Sequence, residues 1–271
     1  MLLIALLGVP TASASVVRSG GFRYVTKSYE LAPGKARTFK APCPDGTHVT
    51  GGGHYNNGGF GDVIGAHSFP YDSDDRRRKP DDGWKAQLRG FGTTWDASVY
   101  AICSRLVPEY VQEPYSVDPG FQTEAGPVCG LSSLHPLGGG TTGHPSAVEV
   151  TSRPVNFMGT EYWEGGVRNK SQQPQEGKII GACANLEVQY RFAVSGTVAP
   201  GTQVAQNVFC PVEAPHVVGG GFNVSGASDR ATAATRPFGF GPADDGWQVW
   251  VDNYDDESFT FVARVSCVPA L

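Results

Sequence analysis

The histidines, acidic pairs, cysteines and tryptophans are the residues of this 271-residue chain that could do chemistry. A hydrolase of the acyl-transfer kind needs a nucleophile, a base and a group that orients the base. His48, His54, His67, His135, His144 and His216 stand in no Gly-x-Ser-x-Gly or His-Glu-x-x-His context. His48 and His216 flank a glycine-rich strand and read as surface or turn residues. Asp74-Asp75 and Asp255-Asp256 would serve a glycosidase only if two carboxylates faced each other across a defined gap. Adjacent acids in loops more often solvate turns, although Asp-rich loops leave calcium open, because hard cations favour clustered carboxylates. Zinc wants close pairs such as Cys-x2-Cys, and no two cysteines here lie closer than 26 residues. No catalytic residue, cysteine-held metal or cofactor is expected.

The aromatics are the better lead. Trp84 and Trp247 share the apolar face of alternating segments and read as core. Trp250 alternates onto the polar face with Gln248 and Asp252. An exposed aromatic beside amides and carboxylates suits stacking on a sugar ring or docking a partner. Burial between neighbouring repeats is the competing reading. Tyr55, beside Asn56-Asn57, and Tyr254, after Asn253, are weaker candidates of the same kind.

These residues are positioned by a unit that occurs three times. Each copy opens with a cysteine and a glycine triplet: Cys43 with Gly51-Gly52-Gly53, Cys129 with Gly138-Gly139-Gly140, and Cys210 with Gly219-Gly220-Gly221. Ser68-x-Pro70, Ser152-x-Pro154 and Thr235-x-Pro237 follow, then a tryptophan, then Cys103, Cys183 or Cys267. The leading cysteines are 86 and 81 residues apart. The copies read as residues 15–108, 109–188 and 189–271, each of about five strands. The glycine triplets suggest bulges or close backbone approach. They lead into no helix and precede no Gly-Lys-Ser/Thr, so a phosphate cradle is not expected.

The period inside the unit is two. Phe259, Phe261, Ala263, Val265 and Cys267 share one face, opposite Thr260, Arg264 and Ser266. Trp95, Ala97, Val99, Ala101 and Cys103 repeat the pattern in the first copy. The expected fold is all-β, three repeats stapled by disulfides, packed either around one shared core or as three tandem small sheet units. Equivalent units should be bridged equivalently, which favours Cys43–Cys103, Cys129–Cys183 and Cys210–Cys267. A nearly symmetric rival is Cys103–Cys129, Cys183–Cys210 and a ring-closing Cys43–Cys267.

Composition and charge narrow the function classes. Thirty-six Gly and 20 Pro disfavour helix, while 40% hydrophobic and 11% aromatic residues are enough for a core. A net charge of −5 argues against nucleic acid. The single basic run, Arg76-Arg77-Arg78-Lys79, lies between aspartates and reads as a solvated loop. Residues 1–14 read as a secretory signal, with an apolar run followed by Ala12-Ser13-Ala14; a buried N-terminal strand is the alternative. The run lacks a preceding Lys or Arg, which suggests a start codon assigned too late. It is too short to span a bilayer, which takes about 20 apolar residues. Asn169-Lys170-Ser171 and Asn223-Val224-Ser225 are glycosylation sequons that matter only in a eukaryotic source.

The succession Cys43-Pro44-x-Gly46-x-x-Val49-x-Gly51-Gly52-Gly53, Ser68-x-Pro70, Asp82-Gly83-Trp84 and Tyr100-Ala101-x-Cys103 resembles a repeat of secreted actinobacterial proteins, most of them uncharacterised. The second copy departs from it at Gly130 and offers Tyr162-Trp163 in place of Asp-Gly-Trp. The resemblance brings no catalytic residues with it. The triple unit is also similar in plan to β-prism proteins of the vitelline outer-layer type, in which three sheets surround a pseudo-threefold axis. The expected function is a secreted, non-enzymatic binding or structural protein, outside the cell or at its envelope, with glycans as the ligand class. The alternatives are a secreted hydrolase of unfamiliar type and a subunit of a secreted toxin or inhibitor assembly.

Overall fold

A computed structural model describes residues 13–34, 36–58, 61, 63–73, 79–130, 133–224, 230–239 and 245–271. The apolar run of residues 1–12, Asp74, Asp75, Arg76, Arg77, Arg78 and Ser225 lie outside the described residues. Within those described, every regular element is a strand. The first copy holds β1 (Ala14–Ser19), β2 (Phe22–Leu31), β3 (Ala36–Pro42), β4 (His48–Asn56), β5 (Val63–Tyr71), β6 (Gly83–Gly90) and β7 (Trp95–Ser104). The second holds β8 (Glu109–Val117), β9 (Gln122–Ala125), β10 (His135–Thr142), β11 (Ala147–Phe157), β12 (Thr160–Asn169) and β13 (Gln175–Ala184). The third holds β14 (Gln189–Val194), β15 (Gln203–Phe209), β16 (His216–Val224), β17 (Arg230–Phe238), β18 (Gly246–Asn253) and β19 (Phe261–Val268). Where about five strands per copy were expected, the described residues hold seven, six and six. The short strands β9 and β15 open no hydrophobic alternation strong enough to read from sequence.

Strands from different copies share sheets, so the copies are interlocked rather than tandem. One sheet runs β14-β19-β16-β11-β12-β9, crossing from the third copy to the second between β16 and β11. A ten-stranded sheet joins β1-β2-β7-β4 of the first copy to β17, through the pair Thr235–His54, and carries β18 and β15 beyond it. The three-stranded sheet β10-β13-β8 abuts β5 at the matching place.

The glycine triplets explain this interlocking. A Cβ built on Gly51 would stand 2.4 Å from the Val218 carbonyl oxygen, one on Gly138 2.5 Å from that of Thr50, and one on Gly219 2.1 Å from that of Leu137. Each copy therefore meets another in a closed cycle, an arrangement compatible with a three-sided prism. A Cβ on the third glycine would strike the Ser/Thr-x-Pro carbonyl of a different copy: Gly53 against Thr235, Gly140 against Ser68, Gly221 against Ser152. The middle glycine makes room for the tryptophan of its own copy, Trp84 on Gly52, Trp163 on Gly139 and Trp247 on Gly220. Each triplet follows a register shift between β4 and β7, β10 and β13, or β16 and β19, which is the bulge the sequence suggested.

Three apolar clusters form around Trp84, Trp163 and Trp247, all at 1% exposure or less. Cys43–Cys103, Cys129–Cys183 and Cys210–Cys267 are bonded, so each copy is stapled internally, with Cα–Cα distances of 5.7, 5.8 and 5.7 Å. Each bridge closes a loop of 54 to 60 residues. In the chain-entropy account such a loop contributes roughly 4 kcal/mol. Bridges of this kind form and persist in oxidising environments.

Candidate functional site

The sheet face opposite Trp247 gathers an aromatic and cationic cluster from distant parts of the chain. On β18, Trp247, Val249 and Val251 are fully buried, while Gln248 and Trp250 between them are half-buried on the other face. Trp250 is flanked on its neighbouring strands by two small residues, Ala205 of β15 and Ala234 of β17. Tyr55 of β4, also half-buried, meets the indole edge to face with ring centroids 5.8 Å apart. Arg236 of β17 lies over the Tyr55 ring, its guanidinium carbon 3.8 Å from the ring centre. Two of its N–H groups donate to Gln248 Oε1 at 3.1 and 2.9 Å, and a third donates to the Tyr100 hydroxyl at 3.1 Å. Gln248 in turn donates to Asn207 Oδ1 at 3.0 Å. The guanidinium is thus held flat by an amide, a phenol and a ring, and no carboxylate pairs with it among the described residues.

Two of the three residues singled out from sequence therefore come together. Trp250 is less exposed than expected: its ring is half-covered and its Nε1 is buried with no hydrogen-bond partner. Asp252 does not share an open polar face with it, but is fully buried. Asp252 accepts hydrogen bonds from Gln203 at 2.7 Å, from the Tyr254 hydroxyl at 2.9 Å and from the Gly61 amide at 3.2 Å. The Asp252 carboxylate thus ties the end of β18 to Gly61, with the Tyr254 hydroxyl on the same carboxylate. Arg236, Tyr100 and Asn207 were missed by the sequence reading, which did place Gln248 on the face of Trp250. The available signal was the middle position of Ser/Thr-x-Pro, which is arginine in two copies, Arg153 and Arg236. Arg153 makes the matching cross-strand contact, to Glu164 at 2.5 Å. The aromatic site itself occurs once, because Gln87 and Gly166 hold the positions equivalent to Trp250.

Histidine and carboxylate also converge, but inside the protein. Glu149 and His67 are 3% and 1% exposed. Thr141 Oγ1 lies 3.0 Å from Glu149 Oε1 and 2.9 Å from His67 Nδ1, and His67 Nε2 lies 3.1 Å from the His144 carbonyl oxygen. Facing a carbonyl, Nε2 must carry a proton, so in a neutral imidazole Nδ1 accepts the single Thr141 proton. Thr141 Oγ1 then receives its own hydrogen bond from a protonated Glu149. Burial drives both groups the required way, raising Glu149 to about 8 and lowering His67 to about 4. Glu149 and His67 are both buried, and this network organises the core.

His48 and His216 correct the surface-or-turn expectation, and His135 is placed alike. His48 pairs with Asp81 at 2.8 Å, and His135 with Glu161 at 2.6 Å. His216 is buried and stands 3.8 Å from Asp245. All three lie three residues before a glycine triplet. The sequon residue Asn169 is fully buried, donating to the Val117 and Gln173 carbonyls and accepting from Ser171, so its amide is not open to glycosylation. No group of three or more potential metal ligands converges among the described residues. No helix there is long and apolar enough to cross a membrane. No protein-family model matches this chain, and no curated protein matches it either.

Proposed function

We propose that the protein is a secreted, non-enzymatic binding module acting outside the cell or at its envelope, with glycans as its ligand class. The observation that carries this reading is the Tyr55–Trp250–Arg236 cluster. Sugar rings present flat C–H faces and many hydroxyls, so they are held by aromatic surface beside planar, pre-oriented donors and acceptors. Trp250 supplies the apolar surface, and Gln248 and Asn207 supply amides beside it. Arg236 is already fixed by three hydrogen bonds, so little side-chain entropy is lost when a ligand docks. The three disulfides suit an extracellular life. A glycan-array screen of the protein as secreted tests the proposal. Binding to a defined set of oligosaccharides supports it, and an array without a single Trp250-dependent signal overturns it.

A further inference from the structure

A second site lies away from the aromatic cluster, where three arginines line one cavity. Arg18 of β1, Arg23 of β2 and Arg105, just after β7, border a pocket of about 470 Å³ together with Ser19, Gly20, Gly21, Phe22, Thr47 and Leu271. The turn between β1 and β2 is Gly20-Gly21, with φ of 55° and 89°, a geometry that brings the two strands into a tight hairpin. A side chain at Gly20 is excluded by the His216 ring, 2.1 Å from where a Cβ would stand. The turn is held from the far side too, since the Leu271 amide donates to the Gly20 carbonyl at 3.0 Å. The pocket is therefore built by a fixed turn and not by a loose loop.

Its charge is what needs a counterpart. Arg18 and Arg23 are directly opposite each other in the antiparallel pair of β1 and β2. Like charges in that position repel and destabilise a sheet. Arg105 adds a third positive charge to the same cavity. No carboxylate among the described residues pairs with any of the three. In a chain of net charge −5, three arginines thus border one cavity with no side-chain carboxylate of the described residues paired to them. Guanidinium forks match carboxylate and sulfate oxygens in pairs. The exposed Leu271 side chain beside the arginine rim suits a ring with one anionic substituent.

We propose that this pocket binds an oxyanion group, carboxylate or sulfate, carried by an acidic sugar. The sugar part rests on the glycan reading above; the anion part stands on the arginines alone. The test is calorimetric titration of the full chain at fixed ionic strength with oligogalacturonate, a neutral oligosaccharide of equal length, sodium sulfate and phosphatidylglycerol vesicles. The protein is used unchanged and as Arg23→Gln/Arg105→Gln. Expected is oligogalacturonate binding that weakens at least tenfold in the double variant and falls with added salt, while the neutral sugar is unaffected by the substitutions. Because sulfate stabilises many proteins non-specifically, the thermal arm compares variants: sulfate should raise the melting temperature of the unchanged protein more than that of the double variant. The double variant should melt no lower than the parent without anion, since it loses a repulsion, which separates lost binding from lost folding. Arginine-dependent sulfate binding with no oligosaccharide binding would keep the anion site and remove the sugar, leaving the glycan reading to fail separately. Equal binding of acidic and neutral oligosaccharides, unchanged in the double variant, would overturn the anion site. So would arginine-dependent binding to the vesicles alone.

Discussion

Trp247 Nε1 donates a hydrogen bond to Thr235 Oγ1 at 2.8 Å, tying the tryptophan of the third copy to the Ser/Thr-x-Pro position of the same copy. Trp84 does the same with Ser68 at 2.7 Å, and Trp163 with Ser152 at 3.2 Å. The same Ser/Thr residue presents its carbonyl to the third glycine of a different copy. One residue therefore satisfies a buried indole within its unit and fixes the seam between units. That double duty accounts for a hydroxyl residue at this position in all three copies.

Replacing Thr235 by valine keeps the shape and removes the acceptor, leaving a fully buried indole N–H unpaired. We expect a loss of about 1–3 kcal/mol in stability. Urea denaturation of Thr235→Val measures it, and an unchanged midpoint would mean that the indole bond contributes nothing.

The glycine cycle gives a sharper contrast. Gly138→Ala places a Cβ 2.5 Å from the Thr50 carbonyl oxygen, backbone that cannot move without disturbing the neighbouring copy. Gly196→Ala meets nothing within 4 Å. The first should cost several kcal/mol or prevent folding, in the range of the largest single-residue effects, and the second should stay within about 0.5 kcal/mol. Paired thermal melts decide this, and equal melting temperatures would refute the close approach.

This cycle also marks how far the sequence was legible. The order of cysteine, glycine triplet, Ser/Thr-x-Pro and tryptophan is written in the chain because each landmark answers a local demand: a bulge, a seam, a buried ring, a staple. Bridge pairing followed from repetition. The crossover of strands between copies did not follow, since pairing partners such as Thr235 and His54 are 181 residues apart and no alternation encodes who sits beside whom. The aromatic site was half legible for the same reason. Strand alternation placed Trp250 off the core, but only tertiary contact brings Tyr55 and Arg236 to it. Burial of Glu149 was invisible, because a lone glutamate in Val148-Glu149-Val150 looks like the polar side of a strand.

Glu149 should shape the pH profile of stability. Folded Glu149 keeps its proton up to about pH 8, whereas the unfolded group releases it near 4.5, so its contribution declines as pH rises through that interval. His67 acts in the opposite sense, losing stability as pH falls from 6.5 towards about 4. Together they give a flat region between roughly pH 4.5 and 6.5 and a decline from 6.5 to 8. Glu149→Gln removes the carboxyl's part, and its stability relative to the parent should climb between pH 4.5 and 8 by up to about 5 kcal/mol. Denaturation midpoints at several pH values test this; a pH-independent difference would mean that Glu149 is ionised in the fold.

The central claim is that Trp250 serves a ligand while Trp247 serves the core. Trp247→Ala should cost about 3–5 kcal/mol, as for other buried tryptophans. Trp250→Ala forfeits its edge-to-face contact with Tyr55, about 0.5–1.5 kcal/mol, and should stay folded. The most direct measurement is calorimetric titration of Trp250→Ala with the oligosaccharide that binds the parent best, alongside a thermal melt. The account predicts a folded variant whose affinity falls at least tenfold. A folded variant that binds as tightly as the parent would contradict it.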